Sequence, residues 1–584
     1  MKNRMQTNQL RRTLFAGLMA AGMVLNQGCS NSLIEKHNLI TEDIKQYGKT
    51  EFEIVINEQF NNPYDQEEVK LDMMITSPAG KQLVLPCYFE ENKEEQSVWK
   101  ARFAPAENGE YTYTYQLEHG GETTTSTIDH FKVETSGEDG FLHVNDNWTL
   151  KYDNGKLFRG IGENVGWEAR NYEDSKYTYE YLLPTLSENG ANFFRTWMCP
   201  WDLPVSWPKV SKHTDRYTDS DEYFHPQGIK RMDELMDMCD SLDLYLMLAM
   251  DTHGALIPGG GWQDNRYNVA NGGPAASPAD FFVNEQARKM SKNKFRFLVA
   301  RWGYSTHIGA WEFFNEIDNA VFTATPHDSV LIAHKDVAAW HKEMSDYISS
   351  IDPYNHIITT SVSHREIEGM FEAENIDIAQ HHIYKKTGQI PALIHQYADH
   401  YKKPFVWGEF GYEWDWNKDF SKIAEESDYD YRRGLWYGLF NPTPILPMTW
   451  WWEFFDKRDM TPYFQSVRMI NDMMLEAGKG QFEEVTVASK GLESFSVKCG
   501  EQYFVVVLNN EKQLQSSDLV LDIAKGNYIL KRFNPDERSF SSNGKLSAGE
   551  SGLTISKVSL NGWDEMLYIL TPEASLNTQE LASN

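Results

Sequence analysis

Apolar positions along the chain follow two rhythms. From residue 50 to 137 they fall in short β-prone runs at 52–56, 69–75, 82–89, 99–103, 111–117 and 131–133. Turn signals such as Pro78-Ala79-Gly80 and Asn108-Gly109 separate them. Short strands at about ten-residue spacing predict an all-β sandwich. The same texture returns in residues 479–584, with runs at 492–497, 503–508, 519–523, 528–533, 553–558 and 566–570, and predicts a second sandwich.

Residues 138–478 read differently. Apolar runs alternate with amphipathic helices, the pattern of a parallel sheet covered by helices. Strands are predicted at 158–161, 192–196, 244–249, 310–314, 357–361, 376–380, 405–408 and 445–449. Helices are predicted near 178–189, 228–241, 285–302, 328–350, 391–401, 428–439 and 464–476. Eight such strands over about 340 residues predict a (β/α)8 TIM barrel with insertions. A doubly wound sheet is the alternative, but no glycine-rich phosphate turn follows the first strand. The fold class read from the sequence is therefore α/β, a barrel flanked by N-terminal and C-terminal all-β sandwiches.

The amino terminus changes the picture of where the protein resides. Lys2, Arg4, Arg11 and Arg12 precede a short apolar stretch, 14–25, which ends at Gly28-Cys29-Ser30. About twelve apolar residues are too few to span a bilayer but suit a signal-peptide core. The pattern resembles a bacterial lipoprotein signal. Residues 1–28 would be removed, Cys29 would carry lipid, and residues 29–49 would be a tether. An ordinary secretory signal is the competing reading. The remaining cysteines, Cys87, Cys199, Cys239 and Cys499, are widely separated, so buried free thiols are expected rather than zinc or disulfide sites.

Charge excludes one class of partner. The net charge is −30, which repels phosphate backbones and argues against nucleic acid. The aromatic residues point elsewhere. Sixteen of the 18 tryptophans lie between residues 148 and 452. Trp197, Trp201, Trp207, Trp262, Trp414 and Trp416 follow predicted strands or lie in loops, where exposed rings could stack on sugars.

In a barrel, chemistry sits at the carboxyl ends of the strands. Asn164 follows the first predicted strand and Arg195 ends the second. Asp251 and His253 follow the third, and Asn315-Glu316 the fourth. His364 follows the fifth, His382 and Tyr384 the sixth, Glu409 ends the seventh, and Trp450 and Trp452 end the eighth. Glu316 and Glu409 are 93 residues apart, three units at roughly 31 residues each. That spacing places them across the mouth from one another. A carboxylate pair about 5–5.5 Å apart supports double displacement at an anomeric carbon. Glu312, Glu413 and Glu453 are competing carboxylates, while His364, His381 and Asp251 read as structural. No metal-ligand cluster is visible in the spacing. The loop at 251–280, with Trp262, Asn265, Arg266 and Tyr267, reads as a wall of the substrate site.

Trp311-Glu312-Phe313-Phe314-Asn315-Glu316 together with Trp407-Gly408-Glu409-Phe410 resembles clan A of the glycoside hydrolases, and family 5 most. The resemblance covers about residues 155–455. It implies that Glu316 is the acid/base and Glu409 the nucleophile. Asn315 would bond the sugar 2-hydroxyl, and Arg195 and Tyr384 would hold and ionise Glu409. His253 and His382 would line the subsite beside the cleaved bond, and Trp450 and Trp452 would supply the aromatic of the eighth strand. Ile317 stands where family 5 sites often carry Pro, which leaves families 2 and 39 open.

The expected function is a retaining β-glycoside hydrolase acting on a β-linked oligo- or polysaccharide, with no cofactor and no metal. Its expected partners are the carbohydrate and, through a lipid anchor only, a bacterial membrane on its periplasmic or outer face. A catalytically silent glycan-binding lipoprotein and a transglycosylase are the alternatives. Sugar, linkage, endo or exo action and oligomeric state are not legible.

Overall fold

The computed structural model describes residues 33–324 and 327–575. The signal segment and Cys29 lie outside them.

Two antiparallel sheets make up the N-terminal region. One runs Ile34–Leu39, Thr50–Ile56, Gln96–Phe103, Tyr88–Lys93. The other carries Gln82–Pro86, Val69–Thr76 and Gly109–His119, with Glu122–Thr125 and Asp129–Val133 both paired to the last. Alternating side chains close a shared core. Phe52, Ile54 and Ile56 meet Leu71, Met73 and Ile75 from one neighbour and Tyr111, Tyr113 and Tyr115 from another. The predicted run 82–89 splits into two strands, one in each sheet. The break falls at Pro86, which has no N–H with which to continue a ladder. The stretch read as a tether contributes a strand, because Ile34 is buried against the same core.

In the middle region the strands are parallel. Gly162–Asn164, Phe193–Trp197, Tyr245–Thr252, Ile308–Asn315 and Ile358–Thr359 pair in that order. Ser361–Val362, Ala379–Tyr384 and Phe405–Gly411 continue the series. The 445–449 segment bridges in parallel to both ends, Ile445 to Gly160 and Thr449 to Glu163 and to Phe410. The first parallel strand lies beyond the predicted 158–161. Phe158 instead belongs to a small antiparallel patch with Leu142–Val144 and Leu150–Tyr152. That patch packs its Leu150, Tyr152 and Phe158 against Phe193, Tyr245 and Ala310, closing the amino-terminal end of the ladder. Gly162 allows the close approach of the next strand, since a Cβ there would meet the Phe193 carbonyl oxygen at 1.6 Å.

The C-terminal region presents a six-stranded sheet with two buried faces. Val497, Phe504, Val506 and Ile569 join the core of the middle region, beside Phe464, Val467 and Ile470 of the helix Tyr463–Gly478. Val505, Val507, Tyr528 and Leu570 face the three-stranded sheet, with Leu519, Leu521 and Leu553. Cys87, Cys199, Cys239 and Cys499 are buried free thiols. Among the described residues no helix is long and apolar enough to cross a membrane.

Buried arginines tie these regions together. Arg102 and Arg301 converge on Asp233 at 2.8 and 2.7 Å, and Arg296 reaches Asp72 at 2.6 Å. Arg159 does the same work at the end of the ladder. Its guanidinium donates to the carbonyls of Leu439, Gly438 and Thr443 at 2.9, 3.0 and 3.0 Å, capping the helix Ala424–Leu439. Burial without a carboxylate partner pulls its pKa down to about 10. Met in its place would leave those carbonyls dry and unpaired, so Arg159→Met should lose about 3 kcal/mol of stability. A thermal or denaturant melt measures this, and an unchanged midpoint would remove Arg159 from the account of how the ladder is held.

Candidate active site

The parallel strands and the turns that follow them bring Asn164, Arg195, His253, Asn315, Glu316, His382, Tyr384 and Glu409 to one end of the ladder. Arg195, wholly buried at the second strand, organises them. Its Nε and Nη2 grip Glu312 at 2.6 and 2.7 Å, its Nη1 donates to Asn164 Oδ1 at 3.0 Å and Glu409 Oε1 at 2.9 Å, and Nη2 also donates to Asn315 Oδ1 at 2.7 Å. Five N–H donors therefore meet five acceptors. Glu409 receives a second strong bond, 2.6 Å from the Tyr384 hydroxyl to Oε2.

Glu316 sits where the fourth strand breaks. Its φ is +50°, a left-handed conformation that a side chain adopts only under constraint. The constraint is visible. Its N–H donates to Ser361 Oγ at 2.9 Å, and Ser361 donates in turn to the Phe314 carbonyl at 3.2 Å. Asn319 donates to Glu316 Oε2 at 2.9 Å. The turn delivers the carboxylate to His382, whose Nδ1 is 2.9 Å from Glu316 Oε1 and 3.4 Å from Glu409 Oε2. Ligand atoms of Glu316, His382 and Glu409 all lie within 4.8 Å of one another. A divalent cation could bridge such a triad. Its members come from three strands, so no spacing in the sequence announces it.

Burial dominates the protonation behaviour. It raises Glu316 to about 7, with Asp318 adding to the effect and His253 and Arg195 opposing it. Glu409 is also raised, by burial first and then by the charge of Glu316, despite His382, Arg195 and Tyr384. Arg195 does favour the ionised form of Glu409, but burial outweighs it. The guanidinium gives Glu312 two bonds and Glu409 one, and the favourable charge does not overcome desolvation. Burial also lowers His382 to about 4, so its ring is neutral.

Other readings sort by geometry. Asn164 holds the frame and is not free to bind substrate. Its Nδ2 donates to the carbonyls of Gly408, Thr449 and Met448, and its Oδ1 is taken by Arg195. His253 stands at the site, 3.9 Å from Glu316 Oε2 and 3.3 Å from the Asn315 carbonyl. Trp450 and Trp452 are buried, and Trp450 lies 5.1 Å from Trp197 and from Trp452. Trp262 is buried in the core of its own loop. Among the described residues no hydrogen bond joins it to either carboxylate. Trp197 and Trp207 are buried as well, which leaves Trp414 and Trp416 as the exposed pair. Asp251 pairs with Lys294 at 2.8 Å and His381 with the Tyr401 hydroxyl at 3.0 Å, both structural. Ser361 and Asn319 escaped the sequence reading, as small polar residues carry no motif. Glu312 was read as a competitor and is the partner of Arg195.

Residues 155–431 match the family described as "Cellulase (glycosyl hydrolase family 5)", and residues 43–118 match "Domain of unknown function (DUF5060)". Mannan endo-1,4-beta-mannosidase A of Podospora anserina is 25% identical over 224 residues, covering 32% of this chain and 52% of its own length, so the chain spans about half of that relative. A candidate glycoside hydrolase from Bacteroides vulgatus ATCC 8482 superposes with a TM-score of 0.65 at 14% identity, covering 91% of this chain and 100% of its own. A second structure, a glycoside hydrolase, gives 0.51 at 15% identity over 75% of this chain and 98% of its own. At these identities the likeness to both solved structures is one of fold. The middle of the chain, residues 155–431, is thus similar to glycosyl hydrolase family 5.

Proposed function

We propose that the parallel-stranded region is a (β/α)8 barrel that hydrolyses a β-linked oligo- or polysaccharide with retention of anomeric configuration. The approach of Glu316 and Glu409, with one imidazole nitrogen between them, carries this reading. It leaves room for a sugar carbon but favours a direct attack over an intervening water. Glu409 Oε attacks the anomeric carbon as Glu316 gives its proton to the departing glycosidic oxygen. Glu316, now ionised, takes a proton from water, which attacks the same carbon and releases Glu409. Arg195 and Tyr384 fix the nucleophile, and Ser361, Asn319 and His382 fix the acid. The match to a mannanase supports a β-linked substrate without choosing the sugar.

The two carboxylates predict the pH profile. Glu409 must be ionised, so activity is lost as pH falls through its raised pKa. Glu316 must be protonated, so activity is lost as pH rises through about 7. The kcat/KM profile should be a narrow bell on the acid side of neutrality. Activity held level to about pH 9 in the folded enzyme would contradict the assignment.

Substitution separates the roles. Glu409→Ala should be nearly inactive on every substrate, with a loss on the order of 10²–10⁴ or more. Glu316→Ala should still react with a dinitrophenyl glycoside, whose leaving group needs little protonation, and then stall. Azide should restore its turnover and give the β-glycosyl azide. Full activity of Glu316→Ala on natural glycans would move the acid role elsewhere.

We also propose, from the amino-terminal signal pattern alone, that the protein is exported and tethered to a bacterial membrane through Cys29. Metabolic labelling with a fatty-acid analogue should mark the wild type and not Cys29→Ser. An unlabelled wild-type protein recovered in soluble form would overturn the tether.

A further inference from the structure

The loop that follows Glu409 exposes aromatic surface on a rigid mount. Tyr412, Trp414 and Trp416 are 39%, 56% and 52% exposed, and Tyr172 in the loop after the first parallel strand is 62% exposed. A large indole in water has no folding reason to be there. The mount is well made. Glu413 is buried between them and accepts from the N–H groups of Trp414 and Asp415 at 3.0 and 3.1 Å and from Lys385 at 2.8 Å. The Trp451 indole donates to its carbonyl at 2.5 Å. Trp416 stacks on Trp167 at 6.0 Å with an 18° tilt and meets Trp451 edge-on at 4.5 Å. Arg170 lies over Trp167, Tyr172 and Trp416 at 4.8, 4.8 and 5.4 Å and is itself held by Glu173. Trp414 makes no ring contact among the described residues and carries only Lys385 above it, at 5.3 Å.

We propose that Trp414 and Trp416 form a sugar-stacking platform for the distal part of a β-linked polysaccharide chain, beyond the residue being cleaved. This rests on the glycosidase reading of the adjacent site. Flat apolar rings, Trp416 packed on Trp167 and Trp451 and Trp414 on a backbone held by Glu413, suit the C–H face of a pyranose. The platform also has a side. Glu316 protonates the leaving group, so that part of the chain departs toward the fourth and fifth strands. Trp416 packs instead on Trp167 and Trp451, which follow the first strand and the 445–449 segment. The platform therefore holds the part of the chain that stays on Glu409, and the enzyme gains from long substrates.

Two measurements test this. The first is the ratio of kcat/KM for a β-linked hexasaccharide to that for the disaccharide. Trp414→Ala should lower this ratio about tenfold, the equivalent of one lost stacking contact, and Trp414→Phe should recover much of it. Trp416→Ala should lower it further. The second is retardation in native gels containing soluble β-mannan, β-glucan or xylan, run with the Glu409→Gln variant so that catalysis plays no part. Adding Trp414→Ala should abolish the retardation. An unchanged ratio with unchanged retardation overturns the platform, as does a parent protein that none of the three polysaccharides retards. Retardation that depends on Trp414, in a protein that cleaves no glycan, would keep the platform and overturn the hydrolase reading.

Discussion

The site depends on a single dehydrated cation. Stripping water from a guanidinium costs several kcal/mol even after relaxation, and Arg195 is completely buried. Five hydrogen bonds, three of them to carboxylates, make the position tenable. The four partners come from three strands of the ladder. Asn164 stands on the first strand, Glu312 and Asn315 on the fourth, and Glu409 on the seventh. The guanidinium thus fixes register across the sheet as well as charge within it. Lysine cannot replace it, because three donors on a point charge do not reproduce a planar fork.

Much of this was legible in the sequence, for a physical reason. Strand ends in a parallel ladder are where side chains leave the packed interior, so Asn164, Arg195, Asn315-Glu316, His382, Tyr384 and Glu409 could be placed by counting alternations of strand and helix. What counting could not show was which polar atoms would be used up. Asn164 looked available for substrate until its amide was seen bonded to three carbonyls. Glu312, four residues before Glu316, looked like a rival acid, yet it faces Arg195. Trp262 looked like part of a subsite wall because it lies in the long loop at 251–280, but its indole is buried and so stabilises the fold more than an exposed one would. Strand boundaries slipped where a local contact won. Phe158 prefers the aromatic patch with Tyr152 and Tyr245, so the first parallel strand starts at Gly162.

The flanking β-rich regions bear on the site through the same kind of contact. Arg102, Arg296 and Arg301 lie at the junction with the N-terminal sheets, each paired with a carboxylate. The helix Tyr463–Gly478 is clamped between the ladder and the six-stranded sheet. Buried ion pairs of this kind add little net stability against apolar alternatives. Their directional bonds nevertheless fix how the sheets sit, which a purely apolar junction would do less strictly.

Charge balance explains why the acid and the nucleophile stay distinct under the proposed mechanism. Glu312, Glu316 and Glu409 share one permanent cation, and burial holds His382 neutral. Ionising all three carboxylates would leave two uncompensated charges in a poorly solvated space. The proton stays where compensation is poorest. Arg195 bonds Glu312 and Glu409 directly, whereas Glu316 is held by neutral Asn319 and His382. When Glu409 attacks, its charge is consumed in the ester while Glu316 releases its proton, so the net charge of the group does not change. With the neighbouring charge gone, Glu316 ionises more readily and can act as the base toward water. The step that makes the intermediate thus also prepares the residue that resolves it, with no rearrangement beyond the movement of one proton.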